Sequence, residues 1–431
     1  MSRTLPLLLS AAAALPALAT SPCTPVPGPA VESSIPSQPS LDLTLSRALA
    51  ILSEETPSTA ALRAEIGEAK ADVVGAKVLP NPTIDYSGTR LRSGTNTGAA
   101  TVDVASLEWP VLVFGQRKAR RTAAERGVDA TAARIASDLA SRQRDVRAAF
   151  DDLLTQQERV RILEGARLDL EHVASIVCAR QEAGEASEYD ALRVATEFRT
   201  TDALLGDAKG DLADAAGHLA MLLGRPGTVP HALGDLAPPA SAPLDAEALW
   251  AEASERLPSL QAARKDEEAA RSAESAARRD AWPVPVLSGG AEWTQDARST
   301  SAVFGVSIPL PALDRNQGAV AKARAREEVA TLTRKSLEAE ARADLDRAVA
   351  VASERRAALA ELDAAVSSRL PEMRSMAEAA YREGRGDILD LLDAFRTLTS
   401  TRLARLDAFS GVAHAETDLL FVTGRAGEEA P

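Results

Sequence analysis

The chain has 431 residues, a length sufficient for two or three ordinary domains. Aromatic residues make up only 3% of it, whereas Ala, Leu, Glu, Arg and Asp dominate, which is typical of long helices packed through small side chains. The formal net charge of −13 argues against a nucleic-acid-binding protein, because neutralising phosphates needs clustered Lys and Arg, and we expect most of this charge on a solvated surface.

The N-terminal residues 1–19 have the pattern of a secretory signal peptide. A basic residue precedes an apolar stretch, and Ala17-Leu18-Ala19 forms an A-x-A cleavage site, which predicts export. Residues 20–40 are rich in Pro and Ser and are predicted to form a flexible lead-in. Cys23 lies where a lipidated cysteine could stand, but Pro22 precedes it where a lipoprotein signal has a small residue, so we favour an unmodified Cys23.

The rest of the sequence repeats itself after about two hundred residues. The first repeat is predicted at residues 41–224 and the second at 244–424, with a Pro-rich linker at 225–243 and a disordered tail at 425–431. The anchors that recur in the same order are Pro57 and Pro258, Leu79 and Trp282, Trp109 and Ile308, Gln116 and Gln317, Gly184 and Gly384, and Gly224 and Gly424.

Each repeat is predicted to contain the same elements in the same order. A short helix is followed, after a proline, by a helix of about two dozen residues. Two strand-like runs come next, at about 81–113 in the first repeat and about 283–311 in the second. A long helix then ends near Gly184 or Gly384, and a helix of nearly forty residues runs back. In the first repeat the long helix spans Gln116 to Glu182, roughly 100 Å at 1.5 Å per residue.

The strand-like runs alternate between polar and apolar residues, as Thr83, Asp85 and Ser87 do with Ile84 and Tyr86. Strands of about ten residues can cross a membrane as part of a barrel, with apolar side chains outward and polar side chains inward. Four strands cannot close a barrel and an open edge cannot face lipid, so a membrane barrel would need several chains. A pair of ordinary hairpins on a helical protein is the alternative.

Several motifs resemble those of the TolC-type outer-membrane efflux proteins, and most closely those of the cobalt–zinc–cadmium resistance branch. They are Leu79-Pro80-Asn81-Pro82 at the first strand, "GQRKARR" at 115–121, and Pro309-Leu310-Pro311 followed by Asp314-Arg315-Asn316-Gln317-Gly318. The resemblance extends from about Leu41 to Gly424. It implies a mainly α fold with a small β part. Long antiparallel helices would form a periplasmic α-barrel, and each chain would add four strands to a trimeric twelve-stranded outer-membrane β-barrel.

The resemblance also implies a function and partners. The protein would be a homotrimer in contact with outer-membrane lipid and would serve as the exit duct for heavy-metal cations. Its partners would be a periplasmic adaptor and an inner-membrane proton-driven pump. The alternatives are a duct for a drug or type I protein exporter and, in another class, a secreted periplasmic coiled-coil protein. No nucleophile–base constellation is visible and the four histidines lack metal-ligand spacing, so we predict no enzyme, metal site or cofactor.

Three aspartates recur at a spacing of three near the second helix-breaking glycine: Asp387, Asp390 and Asp393. At 100° per residue they share one helix face, and Ile388, Leu389, Leu391 and Leu392 are predicted to share the opposite face. Asp387 and its counterpart Ser187 are predicted to be helix N-caps, with an acidic residue three positions later in each repeat.

The resemblance implies further roles at the helix ends. Asp390 and Asp393 match the acidic rings of the family's periplasmic entrance, which would favour cations, and a solvated helix face is the alternative. Tyr381 and Asp190 match the residues of an aperture lock. The family's lock arginine falls at Gly386, so we predict that Arg385 replaces it. The turns are predicted to dock the adaptor, and their glycines are Gly184, Gly384 and Gly386.

Overall fold

The computed structural model describes residues 40–95, 99, 101–234, 243–295, 298–366 and 369–427. The predicted signal peptide, Cys23 and the lead-in up to residue 39 lie outside the described residues, as do residues 235–242 of the linker and 428–431 of the tail. The helices are α1 (Leu45–Glu55), α2 (Pro57–Lys77), α3 (Gln116–Glu182), α4 (Glu188–Leu222), α5 (Ala246–Arg256), α6 (Pro258–Asp280), α7 (Gln317–Val366), α8 (Leu370–Arg382) and α9 (Ile388–Val422). The strands are β1 (Ser40–Leu43), β2 (Thr83–Arg90), β3 (Thr101–Pro110), β4 (Val229–Ala232), β5 (Val286–Thr294) and β6 (Ser299–Ser307).

The predicted fold class, mainly α with a small β part in two repeats, is confirmed. α2 and α6 both begin at the expected proline. Proline is tolerated there because a backbone N–H in the first turn of a helix has no acceptor within the helix, so its absence costs no hydrogen bond. α3 covers the span from Gln116 to Glu182 that the absence of proline predicts. Thr56 caps α2, since its hydroxyl accepts from the N–H of Thr59 at 3.3 Å.

The long helix of the second repeat differs from its counterpart. α7 ends at Val366 and α8 begins at Leu370, with Pro371 in its first turn. Proline inside a helix removes a backbone donor and its ring clashes with the carbonyl four residues earlier, so a new helix starts around it. Our prediction of one common plan for both repeats overlooked this proline.

Four strands form one antiparallel sheet in the order β2-β3-β5-β6. Residues directly opposite each other in such a sheet share a face. One face carries large apolar side chains, all exposed within a single chain: Ile84, Tyr86, Leu107, Trp109, Leu287, Trp293, Phe304 and Val306. The other face is mainly polar: Thr83, Asp85, Ser87, Ser106, Glu108, Ser288, Glu292, Ser301 and Ser307. The predicted alternation therefore produces a two-faced sheet with β2 and β6 at its edges.

A second, two-stranded sheet was not predicted. β1 pairs in parallel with β4, with Ser40 opposite Val229 and Leu43 opposite Ala232. β4 lies within residues 225–243, where we expected only a linker. Both strands have just four residues, too short for their alternation to stand out in the sequence.

The chain divides into two compact units. One contains Gln156–Leu212 and Leu362–Leu406, and the other contains Pro39–Thr155, Ala213–Glu361 and Asp407–Pro431. In the first unit, one apolar cluster joins α3, α4, α8 and α9 through Leu170, Val173, Val177, Ala191, Val194, Tyr381, Ile388, Leu391, Leu392 and Phe395. In the second unit, a cluster joins α5, α7 and α9 through Ala253, Leu345, Ala348, Leu419 and Val422.

In the second unit, acidic groups of α3 are partly buried against α9. The hydroxyl of Thr417 donates to Asp151 at 3.2 Å, and His414 Nε2 lies 2.9 Å from Asp152 Oδ1. Burial raises the pKa of Asp151 to about 6, despite the opposing effects of Thr417, His414 and Arg147. The hydrogen bond with Asp152 raises the pKa of His414, against the opposing effects of burial and Arg355.

This contact is expected to weaken as the pH rises from about 4 to above 6.5. The folded state holds a proton on Asp151 in a range where the unfolded chain has lost it, and a raised pKa of His414 acts in the same direction. Asp151→Asn should therefore slow hydrogen exchange of α9 at pH 8, because it raises the free energy of local opening by up to about 3 kcal/mol. His414→Gln is the control and should speed exchange at pH 6. Faster exchange at pH 8 in Asp151→Asn would contradict this account.

Candidate functional site at the helix tips

Two turns in the first unit connect α3 to α4 and α8 to α9, and we name them the first tip turn (residues 183–187) and the second tip turn (residues 383–387). Gly184 has a φ of +78° and Gly384 a φ of +70°, a left-handed conformation that suits glycine. In the first tip turn the N–H of Glu185 donates to the carbonyl of Arg180 at 2.8 Å, and the equivalent bond of the second tip turn measures 2.9 Å. Both helices thus end in a Schellman motif.

Gly386 serves the second tip turn in another way. Its backbone is not left-handed, but a Cβ added there would lie 3.3 Å from the Cβ of Ala380. The N–H of Gly386 also donates to the carbonyl of Ala380 at 3.1 Å, so the chain passes close over the end of α8. A small residue fits this close approach, which is consistent with a structural role for Gly386.

The residue before each returning helix contacts an aspartate three positions later. Ser187 Oγ accepts from the N–H of Asp190 at 3.2 Å, and Asp190 Oδ2 accepts from the N–H of Ser187 at 3.0 Å, which is a reciprocal capping box. In the second repeat Asp390 Oδ2 accepts from the N–H of Asp387 at 3.4 Å. Asp387 Oδ1 instead accepts from the adjacent N–H of Ile388 at 2.7 Å.

Ser187→Ala is expected to destabilise the first turn of α4 by about 1 kcal/mol, because it removes the side-chain acceptor of the Asp190 N–H and leaves that donor only the carbonyl of Ser187, at 3.2 Å. Hydrogen exchange of the amides at 187–191 measures this local effect. Ser187→Asn is the control, since asparagine is also a good N-cap, and it should exchange like the wild type. Equal exchange of the Ala and Asn variants would show that the capping box contributes nothing.

The aspartates of α9 occupy an exposed face, and Asp387, Asp390 and Asp393 are all exposed. Ile388, Leu391 and Leu392 are buried in the apolar cluster of the first unit, as predicted. Leu389 is different, because it is 42% exposed. Its direction lies about 120° from the centre of the buried face at 100° per residue, which places it beside Asp393 rather than in the core.

One basic residue, Arg396, follows this acidic face along α9. Arg396 pairs with Glu197, with Nε 2.8 Å from Oε1. The pKa of Arg396 is raised by this hydrogen bond and, more weakly, by the charge of Asp393. The exposed side of α9 therefore carries two carboxylates in its first two turns and then an arginine already engaged by α4.

The predicted lock residues are close together but are not bonded as expected. Tyr381 is 4% exposed, and its hydroxyl has no hydrogen-bond partner among the residues that the structure describes. Burial raises the pKa of Tyr381, and the nearby charge of Asp190 raises it further. Asp190 accepts from the backbone of Ser187 instead, and Arg385 is 78% exposed and pairs with Glu383 at 3.2 Å. Among the described residues the structure thus shows neither the Tyr381–Asp190 hydrogen bond nor a hydrogen bond or ion pair of Arg385 with either residue.

Arg180, which the sequence analysis missed, joins the first tip turn to the end of α8. Its guanidinium lies over the ring of Tyr381, 4.7 Å from the ring centroid, and donates to the carbonyl of Tyr381. It also donates to the carbonyl of Glu185 at 3.4 Å. The repeat offers one signal, because the position equivalent to Arg180 is Ala380, so only the first repeat has a basic residue there.

The described part of the chain contains no cluster of metal-ligating side chains. Within residues 40–95, 99, 101–234, 243–295, 298–366 and 369–427, no group of three or more His, Cys, Asp or Glu residues could hold a metal ion. His172 Nε2 lies 3.2 Å from both Glu378 and Arg382. Of the helices the structure describes, none combines the length and the apolar composition needed to cross a membrane.

Comparison with known proteins identifies the family. The family model "Outer membrane efflux protein" matches twice, at residues 49–225 and 249–425. The cobalt-zinc-cadmium resistance protein CzcC of Cupriavidus metallidurans is 28% identical over 393 residues, which cover 89% of this chain and 90% of CzcC. The predicted resemblance is thereby confirmed.

Solved structures show the same fold. A crystal structure of CusC matches with a TM-score of 0.70 at 19% identity, covering 88% of this chain and 92% of that chain. The open-state MtrE outer membrane channel of Neisseria gonorrhoeae matches with a TM-score of 0.70 at 20% identity, covering 88% of each chain. Because the family model covers most of the chain in two successive matches, the protein belongs to the outer membrane efflux protein family and is an efflux channel of the outer membrane with a helical periplasmic part.

Proposed function

We propose that this channel is the exit duct of a tripartite system that exports heavy-metal cations. The observation that carries the proposal is the 28% identity to a cobalt-zinc-cadmium resistance protein over 89% of this chain. The acidic face formed by Asp390 and Asp393 supports a cationic cargo, because carboxylates at a constriction favour cations. The duct would do no chemistry and would need no cofactor.

The sheet supports an assembly of several copies. Its apolar face suits contact with outer-membrane lipid, and its polar face suits a water-filled lumen. β2 and β6 end the sheet with unpaired edges, which cannot face lipid. Three copies would supply twelve strands, enough to close a barrel, so we propose a homotrimer. A soluble coiled-coil protein would leave the exposed apolar face of the sheet without a role.

The partners we propose are a periplasmic adaptor at the tip turns and an inner-membrane proton-driven pump. Each tip turn exposes a charged residue directly after its left-handed glycine, Glu185 in one and Arg385 in the other. Cysteines at these two positions are expected to crosslink to the adaptor in cells. A cysteine at Thr300, in the sheet, is the control and should give no crosslink. Crosslinking from Thr300 alone would contradict docking at the tips.

Deleting the gene in its source organism tests the cargo. The deletion strain is expected to become sensitive to cobalt, zinc or cadmium, to accumulate the metal, and to recover when the wild-type gene is restored. Susceptibility to drugs and secretion of proteins should stay unchanged. Unchanged metal tolerance together with drug sensitivity or a secretion defect would overturn the cation proposal in favour of a drug or type I protein exporter.

A further inference from the structure

A cavity of about 600 Å³ lies in the second unit, where two helices approach the four-stranded sheet. Its walls are the first turns of α3 and the last turns of α6, and its lining residues fall within 113–122 and 272–282. The N–H of Val111 donates to the carbonyl of Pro285 at 2.8 Å, which extends the pairing of β3 with β5 toward this cavity. We name it the junction cavity, and its volume is typical of a ligand-binding site.

The part of the junction cavity that is nearest the sheet in sequence is aromatic. The rings of Phe114 and Trp282 lie 5.2 Å apart, and both side chains line the cavity. Trp282 is 52% exposed, and Val113, which also lines the cavity, is 58% exposed. Tryptophan is common at the boundary between membrane and water, because its ring is largely apolar and its N–H is polar. This part of the cavity therefore suits the apolar portion of a lipid.

Further along the two helices the junction cavity is polar and positively charged. Lys118 of α3 and Arg279 of α6 line it, together with three side chains that carry hydroxyl groups, Thr122, Ser272 and Ser275. Among the described residues, no carboxylate lines the cavity. Cationic side chains and hydroxyl groups are the usual protein partners of a phosphate group. This part of the cavity therefore suits a phosphate.

The two cations of the junction cavity lack the carboxylate partners that their neighbours have. Three nearby arginines pair with carboxylates at 2.7–2.9 Å: Arg120 with Asp280, Arg121 with Glu125, and Arg278 with Glu274. Within the described residues no ion pair engages Lys118 or Arg279, and the hydrogen bond of Arg279 is to the carbonyl of Phe114 at 3.4 Å. Because acidic residues outnumber basic ones in this chain, two cations left without carboxylates at one cavity indicate an anionic ligand.

The second junction of this kind in the repeat shows that the fold does not require most of these polar residues. The offset of 201 that relates Gln116 to Gln317 and Pro57 to Pro258 gives their counterparts. Each counterpart is an alanine or a valine: Ala319 for Lys118, Ala323 for Thr122, Ala71 for Ser272 and Val74 for Ser275. The equivalent helices thus form without a basic or hydroxyl side chain at these positions, which favours a role in binding over a role in folding.

We infer that the junction cavity binds the headgroup of an anionic phospholipid from the periplasmic leaflet of the outer membrane. Lys118 and Arg279 contact the phosphate, and the rings of Phe114 and Trp282 pack against the first carbons of the acyl chains. A lipid fits better than a free anion, because the charged part of the cavity continues into an exposed aromatic part next to the sheet. The inference rests on the proposed contact of the sheet with lipid, and it is independent of the cargo and of the number of copies.

Quenching of Trp282 fluorescence by a brominated lipid tests this site. Trp109→Phe, Trp250→Phe and Trp293→Phe leave Trp282 as the sole tryptophan of the full chain, which is the parent. The parent is titrated in neutral detergent with phosphatidylglycerol that carries bromine on its acyl chains, and we expect saturable quenching. Lys118→Gln with Arg279→Gln should raise the half-saturating lipid fraction by at least about tenfold, because both charged donors to the phosphate are lost.

Arg121→Gln with Arg278→Gln is the matched control. It removes two positive charges from the same two helices, but neither residue lines the cavity, so it should bind phosphatidylglycerol like the parent. Brominated diacylglycerol, which has no phosphate, should quench the parent and both variants equally weakly. Inorganic phosphate at the concentration of the lipid should not displace the brominated phosphatidylglycerol.

Three results would overturn the lipid site. They are equal quenching in the parent and the Lys118 and Arg279 variant, an equal loss in the matched control, and displacement by inorganic phosphate, which would show a site for a free anion. A chain whose sole tryptophan is Trp293 separates this site from the lipid contact of the sheet. If brominated lipid quenches Trp293 while the result with Trp282 fails, only the junction cavity is wrong. If Trp293 is not quenched either, the proposed lipid contact of the sheet fails as well.

Discussion

Replacing Asp390 and Asp393 together with asparagine is expected to abolish the block by multivalent cations, and to reduce the cation selectivity, that we predict for the wild-type channel. Three copies would place about six carboxylates around one opening, and such a ring favours cations. A carboxylate about 6 Å from a divalent ion contributes on the order of 1 kcal/mol even at the dielectric constant of water. Losing six of them should weaken the block by roughly a hundredfold or more.

Planar bilayers provide the measurement. Reversal potentials in a salt gradient report selectivity, and a trivalent cation added from the periplasmic side reports the block. Asp387→Asn is the matched control, because it removes one charge from the same helix end and keeps a good N-cap residue. It should conduct, select and be blocked like the wild type. If the double variant also behaves like the wild type, Asp390 and Asp393 are a solvated face and the ring proposal fails.

Arg180→Leu is expected to loosen the contact between the first tip turn and the end of α8 and to raise the open fraction of the channel. The variant loses a hydrogen bond from a charged donor, about 1.5–3 kcal/mol, and a cation–π contact of about 0.5–2 kcal/mol. Even 1.4 kcal/mol is a factor of ten in an equilibrium, so the open fraction should rise by at least about tenfold. Single-channel recordings measure that fraction, and hydrogen exchange of residues 379–387 measures the loosening.

Arg385 provides the comparison for Arg180. Within the described part of the chain, the ion pair of Arg385 is with Glu383, two positions earlier, and its side chain is largely exposed, so Arg385→Ala should leave the open fraction unchanged. Arg180→Lys keeps the positive charge but lacks the planar guanidinium, which can stack on the ring of Tyr381 and donate hydrogen bonds at the same time. This variant should therefore give an intermediate effect. If Arg385→Ala opens the channel and Arg180→Leu does not, the lock predicted from the family resemblance is the correct one.

The sequence determined the features that depend on a few neighbouring residues. The span of α3 follows from the absence of proline up to Gly184, since proline is the residue that most strongly ends a helix. The reciprocal cap of Ser187 and Asp190 follows from a spacing of three, because a helix start brings those two positions together. The two faces of β2 follow from strict alternation, because successive side chains in a strand point to opposite sides.

Only the tertiary structure decided which distant segments meet. Arg180 and Tyr381 are 201 positions apart, and no local spacing predicts that the guanidinium of Arg180 would lie over the ring of Tyr381. Leu389 shows the same limit. The helical periodicity predicts which side of α9 its side chain lies on, but not which other helices pack against that side. Periodicity and capping arise from backbone geometry within a turn or two. Contacts such as that of Gln116 with Trp282 arise from the packing of whole helices, which is why Gln116 is buried and the identical residue Gln317 is exposed.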